Sequence, residues 1–248
     1  MNKKESIGGR AYSNGVQLMN SKKAVKAYYD KTGDLKVNIK RSKKIKKAHI
    51  LKKIPVIRGI LSILIALWVF LKEVLKNPIK YWFIFLIILF DLVFWFGGNG
   101  EISTYRAVFL ISYFMLPLFL IFYFRNNISE VLKFHGAEHM AVNYYENDCK
   151  GQIKDYSRIH KSCGSNFIFY FLLFQIIGSL LGFEFNLFIR QLLYIGLAYE
   201  AMKYTPDSLL FIVTIIQRFV AKKPDQKQII AAEKALYILL EEEGDDFI

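Results

Sequence analysis

The chain is poor in cysteine and histidine, and it lacks an apolar segment near its start. It has two cysteines and four histidines in 248 residues. The two cysteines are expected on the cytosolic side of a membrane, as argued below, and there they need not form a disulfide. Its first fifty residues are polar, so no signal peptide is expected. Three of the four histidines and both cysteines lie within residues 135–163. Any metal or acid–base chemistry is therefore predicted in this segment.

The strongest motif in that segment is H-x-x-E-H, formed by His135, Glu138 and His139. On a helix, side chains four residues apart lie on one face, so the two imidazoles can bind one metal ion. The carboxylate of Glu138 can then act as general base on water that the metal activates. The motif continues a stripe of helical spacing through residues 128–146. The sequence predicts a helix with both imidazoles on its inward face.

Two ligands do not hold a zinc ion firmly, so a third is expected from another residue. His160, Cys163 and Glu146 are the candidates, in that order, because imidazole, thiolate and carboxylate all occur in zinc sites. Glu200 is a further candidate, either as a ligand or as a partner that orients an imidazole. Short motifs also match by chance, which leaves polar surface residues as the alternative. The predicted set is His135, His139, His160 and Cys163 as ligands, Glu138 as catalytic base, and Glu146 and Glu200 as alternatives.

Long apolar runs suggest a membrane protein. Hydrophobic residues make up 54% and aromatic residues 16% of the chain, more than a domain of this size needs for its core. Two shorter runs, residues 59–71 and 209–217, have too few residues to cross a bilayer. The predicted fold class is mainly α, a polytopic helical membrane protein with a small N-terminal β element. The four predicted crossings are residues 81–96, 108–124, 167–183 and 185–204.

The positive charge is concentrated before the first apolar run. Residues 1–53 hold 16 Lys and Arg against three Asp and Glu, which equals the net charge of +13 for the whole chain. Residues 40–53, which begin with Lys40 and end with Lys53, contain eight basic residues and no acid. Such a run attracts anionic lipid headgroups and orients a protein by the positive-inside rule. Nucleic-acid binding is the rival interpretation, but no stacking platform or recognition helix accompanies the run. The expected location is the bacterial cell membrane, multi-pass, with both termini cytoplasmic.

Three regions are predicted from these patterns: residues 1–53, 54–221 and 222–248. Alternating apolar residues on both sides of the turn at residues 30–34 predict a β-hairpin unit in the first region. Gly8-Gly9 and Asn14-Gly15 predict two more turns. The second region is the helical membrane domain, with the metal-site loop at 125–165. The third is a C-terminal amphipathic helix opened by Pro224 and Asp225.

Several segments resemble the YqhQ-like family of bacterial membrane proteins. The likeness rests mainly on residues 133–139, 144–146 and 157–164, and further matching segments extend it over nearly the whole chain. The chain departs from the family pattern at Met140 and at Lys161–Ser162. That family is a domain of unknown function, described as predicted metal-dependent enzymes. The resemblance implies a membrane location and a bound metal, and it implies no substrate.

These observations predict a membrane-embedded, zinc-dependent hydrolase that acts from the cytosolic face on a membrane-associated substrate. The alternative is a membrane scaffold or assembly factor with a structural metal site. A closed site with four protein ligands, such as His135, His139, His160 and Cys163, would favour the scaffold, whereas an open position would favour catalysis. A transporter is a third reading, but the predicted crossings hold only one deep acidic residue.

Overall fold

The computed structural model describes residues 5–41, 54–97, 115, 118–182 and 186–241. The chain divides into two compact units. The first contains residues 1–61 and 129–248, and the second contains residues 62–128. The candidate site lies entirely within the first unit.

The N-terminal element is a four-stranded antiparallel sheet in the order β1-β2-β3-β4. Its inward face alternates with the strand period of two and presents small and branched apolar side chains that are fully buried, among them Val16, Leu18, Val25 and Ala27. The predicted turn at 30–34 joins β3 to β4, and Gly33 adopts a φ of 90° there. The predicted turn at Gly8–Gly9 is wrong, because both residues lie in β1. The strands are β1 (Gly8–Tyr12), β2 (Gly15–Met19), β3 (Lys23–Tyr29) and β4 (Leu35–Arg41).

The sheet is followed by α-helices, with short 3₁₀ turns at Ile153–Asp155 and Asp207–Leu209; residues 118–123 are helical as well. The helices are α1 (Ile57–Lys76), α2 (Trp82–Gly97), α3 (Arg125–Glu146), α4 (Gly164–Leu180), α5 (Leu187–Lys203), α6 (Leu210–Val213), α7 (Ile215–Val220) and α8 (Gln226–Leu240).

The main core of the first unit lies between the sheet, α3 and α8. Phe134 and Ala137 of α3 and Leu236 of α8 are fully buried in it together with the inward side chains of β2 and β3. The predicted C-terminal helix is present as α8, which begins with a capping box between Asp225 and Gln228. Lys23 also donates from its Nζ to two carbonyl oxygens near the end of α8, at 2.7 and 2.8 Å. The small sheet is therefore stabilised by helices that are distant in sequence.

The prediction of a four-crossing membrane protein in the cell membrane is wrong for the part of the chain that is described. No helix there is both long and apolar enough to traverse a bilayer. The helices α2, α4 and α5 have 16, 17 and 17 residues, and 17 residues rise only about 25 Å against a hydrocarbon core of about 30 Å. The apolar run at 167–183 illustrates the error, because α4 ends at Leu180 and Gly182 turns the chain with a φ of 65°.

Two predictions fall on residues outside the description. The second predicted crossing, residues 108–124, lies largely there, as does the basic run 40–53 apart from Lys40 and Arg41. The expected contact of that run with anionic lipid headgroups stays a prediction.

Candidate metal centre

The two histidines of the motif lie on the buried face of α3. Their rings are 4.2 Å apart between centroids, as expected for residues one helical turn apart. His139 is 3% exposed and Glu138 is 7% exposed. The α3 segment can lie deep in the molecule because Gly136 has no side chain, and a methyl group there would overlap the backbone oxygen of Lys222.

Cys163 approaches the two imidazoles from the loop before α4. It is the N-cap residue of that helix, and its Sγ lies 3.4 Å from His135 Nε2. One ligand atom from each of His135, His139 and Cys163 falls within 4.8 Å of the other two. The described part of the chain therefore contains a His-His-Cys set that can hold a metal ion.

Hydrogen bonds orient both imidazoles. His139 Nδ1 lies 2.7 Å from the carbonyl oxygen of Arg158; because a carbonyl can only accept, Nδ1 carries the proton and Nε2 keeps its lone pair for a metal. His135 Nδ1 lies 3.0 Å from Glu138 Oε2, and its Nε2 points to the thiol. A carboxylate or carbonyl behind each ligating imidazole is the usual arrangement in metal sites.

The same contacts control ionisation at the site. Burial disfavours charge on His135, but hydrogen bonds to Cys163 and Glu138 and their charges outweigh it and raise the pKa of His135 to about 9. Burial likewise opposes a thiolate at Cys163, yet hydrogen bonds from His135 and Ser165 and the nearby His139 imidazole lower the pKa of Cys163 to about 5. A thiolate at neutral pH is the form that binds a metal.

His160 lies next to this set without joining it. Its ring centroid is 5.8 Å from that of His139. Burial lowers the pKa of His160. The buried Nε2 of His160 has no hydrogen-bond partner among the described residues, although Glu146 Oε1 lies 3.3 Å away in poor alignment. Glu146 itself is thus placed beside His160 and outside the His-His-Cys set.

The backbone of His160 is held by a side chain that the sequence did not point to. Gln217 is fully buried; it accepts from the His160 N–H at 2.6 Å and donates to the His160 carbonyl oxygen at 2.9 Å. Asn166 also donates to the carbonyl oxygen of Lys161 at 2.9 Å. Gln217 is 57 residues from His160, and no local pattern links the two.

Glu200, a predicted alternative ligand, lies elsewhere. Its Oε1 accepts from the Val56 N–H at 3.1 Å and from Arg58 Nε at 2.7 Å. The Arg58 guanidinium holds the pKa of Glu200 below its usual range. Val56, which has a φ of 66°, lies in the turn just before α1. The Glu200–Arg58 pair therefore fixes this turn and does not face the imidazoles.

A cavity of about 490 Å³ opens over the site. Its wall includes His135, Glu138, His139, His160 and Cys163. The N-terminal strand β1, with Ile7 before it, also lines this cavity, and no motif had associated it with the metal site. Apolar residues of α3 and Val220 of α7 complete the lining. The candidate ligands therefore border a space that can admit a small molecule or part of a chain.

The donor set fits a borderline-soft divalent cation such as zinc. Two imidazoles and a thiolate are ligands that zinc takes in proteins. With three protein ligands, a tetrahedral ion keeps one position for water or substrate. All three candidate ligands line the cavity.

Comparison with known proteins places this chain in a family. It belongs to the family described as "Protein of unknown function (DUF1385)", whose model matches residues 31–242. No curated protein and no solved structure matches it. The matched range includes all the candidate ligands and excludes β1, β2 and β3.

Proposed function

We propose that the protein is a metal-dependent hydrolase. The observation that carries the proposal is the His-His-Cys set, with donor atoms within 4.8 Å of one another, on the wall of the 490 Å³ cavity. Three ligands beside an open space are typical of a catalytic metal, whereas structural zinc has four protein ligands. The resemblance to the YqhQ-like family also implies a metal-dependent enzyme.

Each residue of the site has a separate role in this proposal. His135 and His139 would hold the ion through Nε2, and Cys163 through its sulfur. A divalent metal supplies Lewis acidity and makes water a nucleophile at neutral pH. Glu138 lies on the cavity wall, with Oε2 bonded to His135 Nδ1 at 3.0 Å. Its carboxylate orients that imidazole and accepts the proton released from water.

Metal analysis of matched cysteine variants tests the site. Purified protein is expected to bind about one zinc ion per chain, and Cys163→Ser should weaken binding at least about tenfold because it removes a soft ligand. Cys149→Ser is the control, since Cys149 is the other free cysteine and lies outside the set. Equal zinc affinity in the two variants would overturn the assignment.

Hydrolysis is then measured on the zinc-loaded protein with p-nitrophenyl acetate and bis-(p-nitrophenyl) phosphate. These substrates need no specific recognition, so they report the metal chemistry itself. The rate should depend on zinc and disappear in His139→Ala. Zinc binding without hydrolysis of either compound would refute the enzyme and favour a structural site.

A structural metal site is the second candidate, and His160 is the observation that favours it. Its buried Nε2, which lies 3.3 Å from Glu146 Oε1 without a well-aligned hydrogen bond, and its ring 5.8 Å from that of His139 would let it act as a fourth ligand that closes the site. In that case His160→Ala would lower zinc affinity as much as His139→Ala does. A retained zinc affinity in His160→Ala would leave the coordination open and favour catalysis.

A further inference from the structure

The free edge of β1 forms one wall of the candidate site. Among the described residues β1 pairs only with β2, so its other edge is not part of a strand pair. The consecutive residues Ile7, Gly8, Gly9, Arg10 and Ala11 all line the cavity. Because successive side chains point to opposite faces of a sheet, a cavity lined by consecutive residues lies against the edge of the strand and not against one face.

The hydrogen-bond alternation shows which backbone groups of β1 face the cavity. The Tyr29 N–H donates to the Asn14 oxygen at 2.8 Å, so the even-numbered residues of β2 bond to β3 and the odd-numbered residues bond to β1. The odd residues of β2 are paired with Gly8, Arg10 and Tyr12. Gly9 and Ala11 therefore direct their N–H and C=O groups outward. No hydrogen bond joins these groups to a residue in the described part of the chain.

The edge is in contact with the site through Gly9. Its Cα packs on the Glu138 carboxylate, and any side chain at position 9 would overlap Glu138 Oε1. The other carboxylate oxygen is bonded to His135. A chain that paired with Gly9 and Ala11 would thus lie one side chain away from the candidate ligands.

We propose that an extended peptide, with apolar and acidic residues in alternation, binds as an added strand on the edge of β1 and is the substrate of the site. Strand addition satisfies the outward backbone groups and recognises an extended main chain. Side chains on the face shared with Gly9 and Ala11 meet the apolar part of the cavity, where Val131, Leu132 and Val142 lie. Side chains on the other face meet the exposed guanidinium of Arg10, which favours a carboxylate.

This inference rests on the proposed function and names its substrate. Hydrolysis adds one water across the peptide C–N bond. The carbonyl carbon takes the oxygen and becomes a carboxylate, and the nitrogen takes both protons of the water and leaves as an ammonium group. No oxidant or other co-reactant is needed.

Binding is tested on the zinc-loaded full chain with a blocked heptapeptide of alternating glutamate and leucine. Residue-resolved hydrogen exchange should show the Gly9 and Ala11 amides about tenfold or more protected by the peptide, while those of Arg10 and Tyr12, already in the ladder, change little. The same peptide with lysine in place of glutamate should bind more weakly. Absence of protection at Gly9 and Ala11 would overturn the inference.

Ala11→Pro is the decisive variant. Proline at 11 removes an outward N–H and no ladder bond with β2, so zinc content and folding should persist while peptide affinity falls about tenfold. Ala11→Ser keeps the N–H and adds only a hydroxyl, so it should lose much less peptide affinity than Ala11→Pro does. Equal affinity in Ala11→Pro would refute strand addition.

Parallel assays with p-nitrophenyl acetate distinguish failure of the proposed hydrolase function from failure of the peptide inference. Ester hydrolysis without peptide protection would retain the hydrolase and refute the peptide inference. Peptide protection at Gly9 and Ala11 without hydrolysis of ester or peptide would refute the hydrolase and retain peptide recognition at β1. Hydrolysis of the ester but not of the bound peptide would refute the peptide as substrate.

Discussion

At the scale of single residues, the site is defined by which atom of each side chain is already engaged. His139 uses Nδ1 for the Arg158 carbonyl and keeps Nε2 for the candidate metal. His135 uses Nδ1 for Glu138, and because its pKa is raised, a metal would have to displace the proton on its Nε2. In the proposed function, Glu138 is the proton acceptor and Cys163 is the sulfur ligand. Each of them can be tested by a substitution of nearly equal shape.

Glu138→Gln should preserve the metal and abolish hydrolysis. The amide oxygen can still accept from His135 Nδ1, so the imidazole stays oriented, but the amide cannot take a proton. Loss of a general base costs about 100-fold or more in rate. Zinc content and hydrolysis of p-nitrophenyl acetate are the measurements, with Glu146→Gln as control. A rate within about threefold of the unaltered protein would assign Glu138 an orienting role alone.

Cys163 should ionise at low pH in the metal-free protein. In a Cys149→Ser background, thiolate absorbance at 240 nm should rise as pH increases through about 5, because hydrogen bonds from His135 and Ser165 favour the charged form and lower the pKa of Cys163. Changing His135 to Ala removes one donor and should move the transition to higher pH. A transition near the ordinary thiol value of about 8.5 would contradict the hydrogen-bonded arrangement.

At the scale of elements, helix α3 is positioned by its contact with the segment between α7 and α8. The Lys222 N–H donates to the Leu132 oxygen at 3.0 Å, and Gly136 lies directly against the Lys222 carbonyl. The close approach places the ligand face of α3 beside the loop that bears Cys163. A glycine that weakens the helix locally is thus required by the packing.

Gly136→Ala should destabilise the protein by about 1–3 kcal/mol, because a backbone carbonyl cannot move aside as a flexible side chain can. Gly164→Ala is the matched control: nothing lies within 4 Å of an added methyl group there, and alanine favours a helix. Urea unfolding measures both. Equal stability of the two variants would show that α3 does not need the close contact.

At the scale of the whole molecule, the first compact unit depends on contacts between the two ends of the chain. Helix α8 packs on β2 and β3, and Leu236 is fully buried in the shared core. The sheet that carries β1 to the cavity is therefore held by the C-terminal helix. The stability of that helix should control the whole unit.

Leu236→Ala is expected to lower the free energy of unfolding by about 2–5 kcal/mol, since it leaves a cavity in a closed core. Ile230→Ala on the same helix is the control, because Ile230 is 40% exposed; it should cost about 1 kcal/mol or less. Urea unfolding followed by circular dichroism measures both. Similar losses in the two variants would contradict the packing of α8 on the sheet.

The sequence by itself determined the local features of this protein. The helical spacing around H-x-x-E-H, the alternation on both sides of the turn at 30–34 and the cap at Asp225 each depend on residues a few positions apart, and the structure contains all three elements. The predicted membrane crossings are wrong in the described part of the chain because counting apolar residues does not show where a helix ends, and turns such as that at Gly182 shorten the helices.

Only the tertiary structure decided the composition of the site. From the sequence alone, His160 was preferred to Cys163 as the third ligand. In the structure, the loop before α4 brings the Cys163 sulfur, and not the His160 imidazole, within 4.8 Å of the other donors. Gln217, which holds the His160 backbone, lies 57 positions after His160 in the sequence. Gly9, which packs on Glu138, lies 129 positions before it. Distances of a few ångströms between such remote segments depend on how the whole unit packs, and no local pattern encodes them.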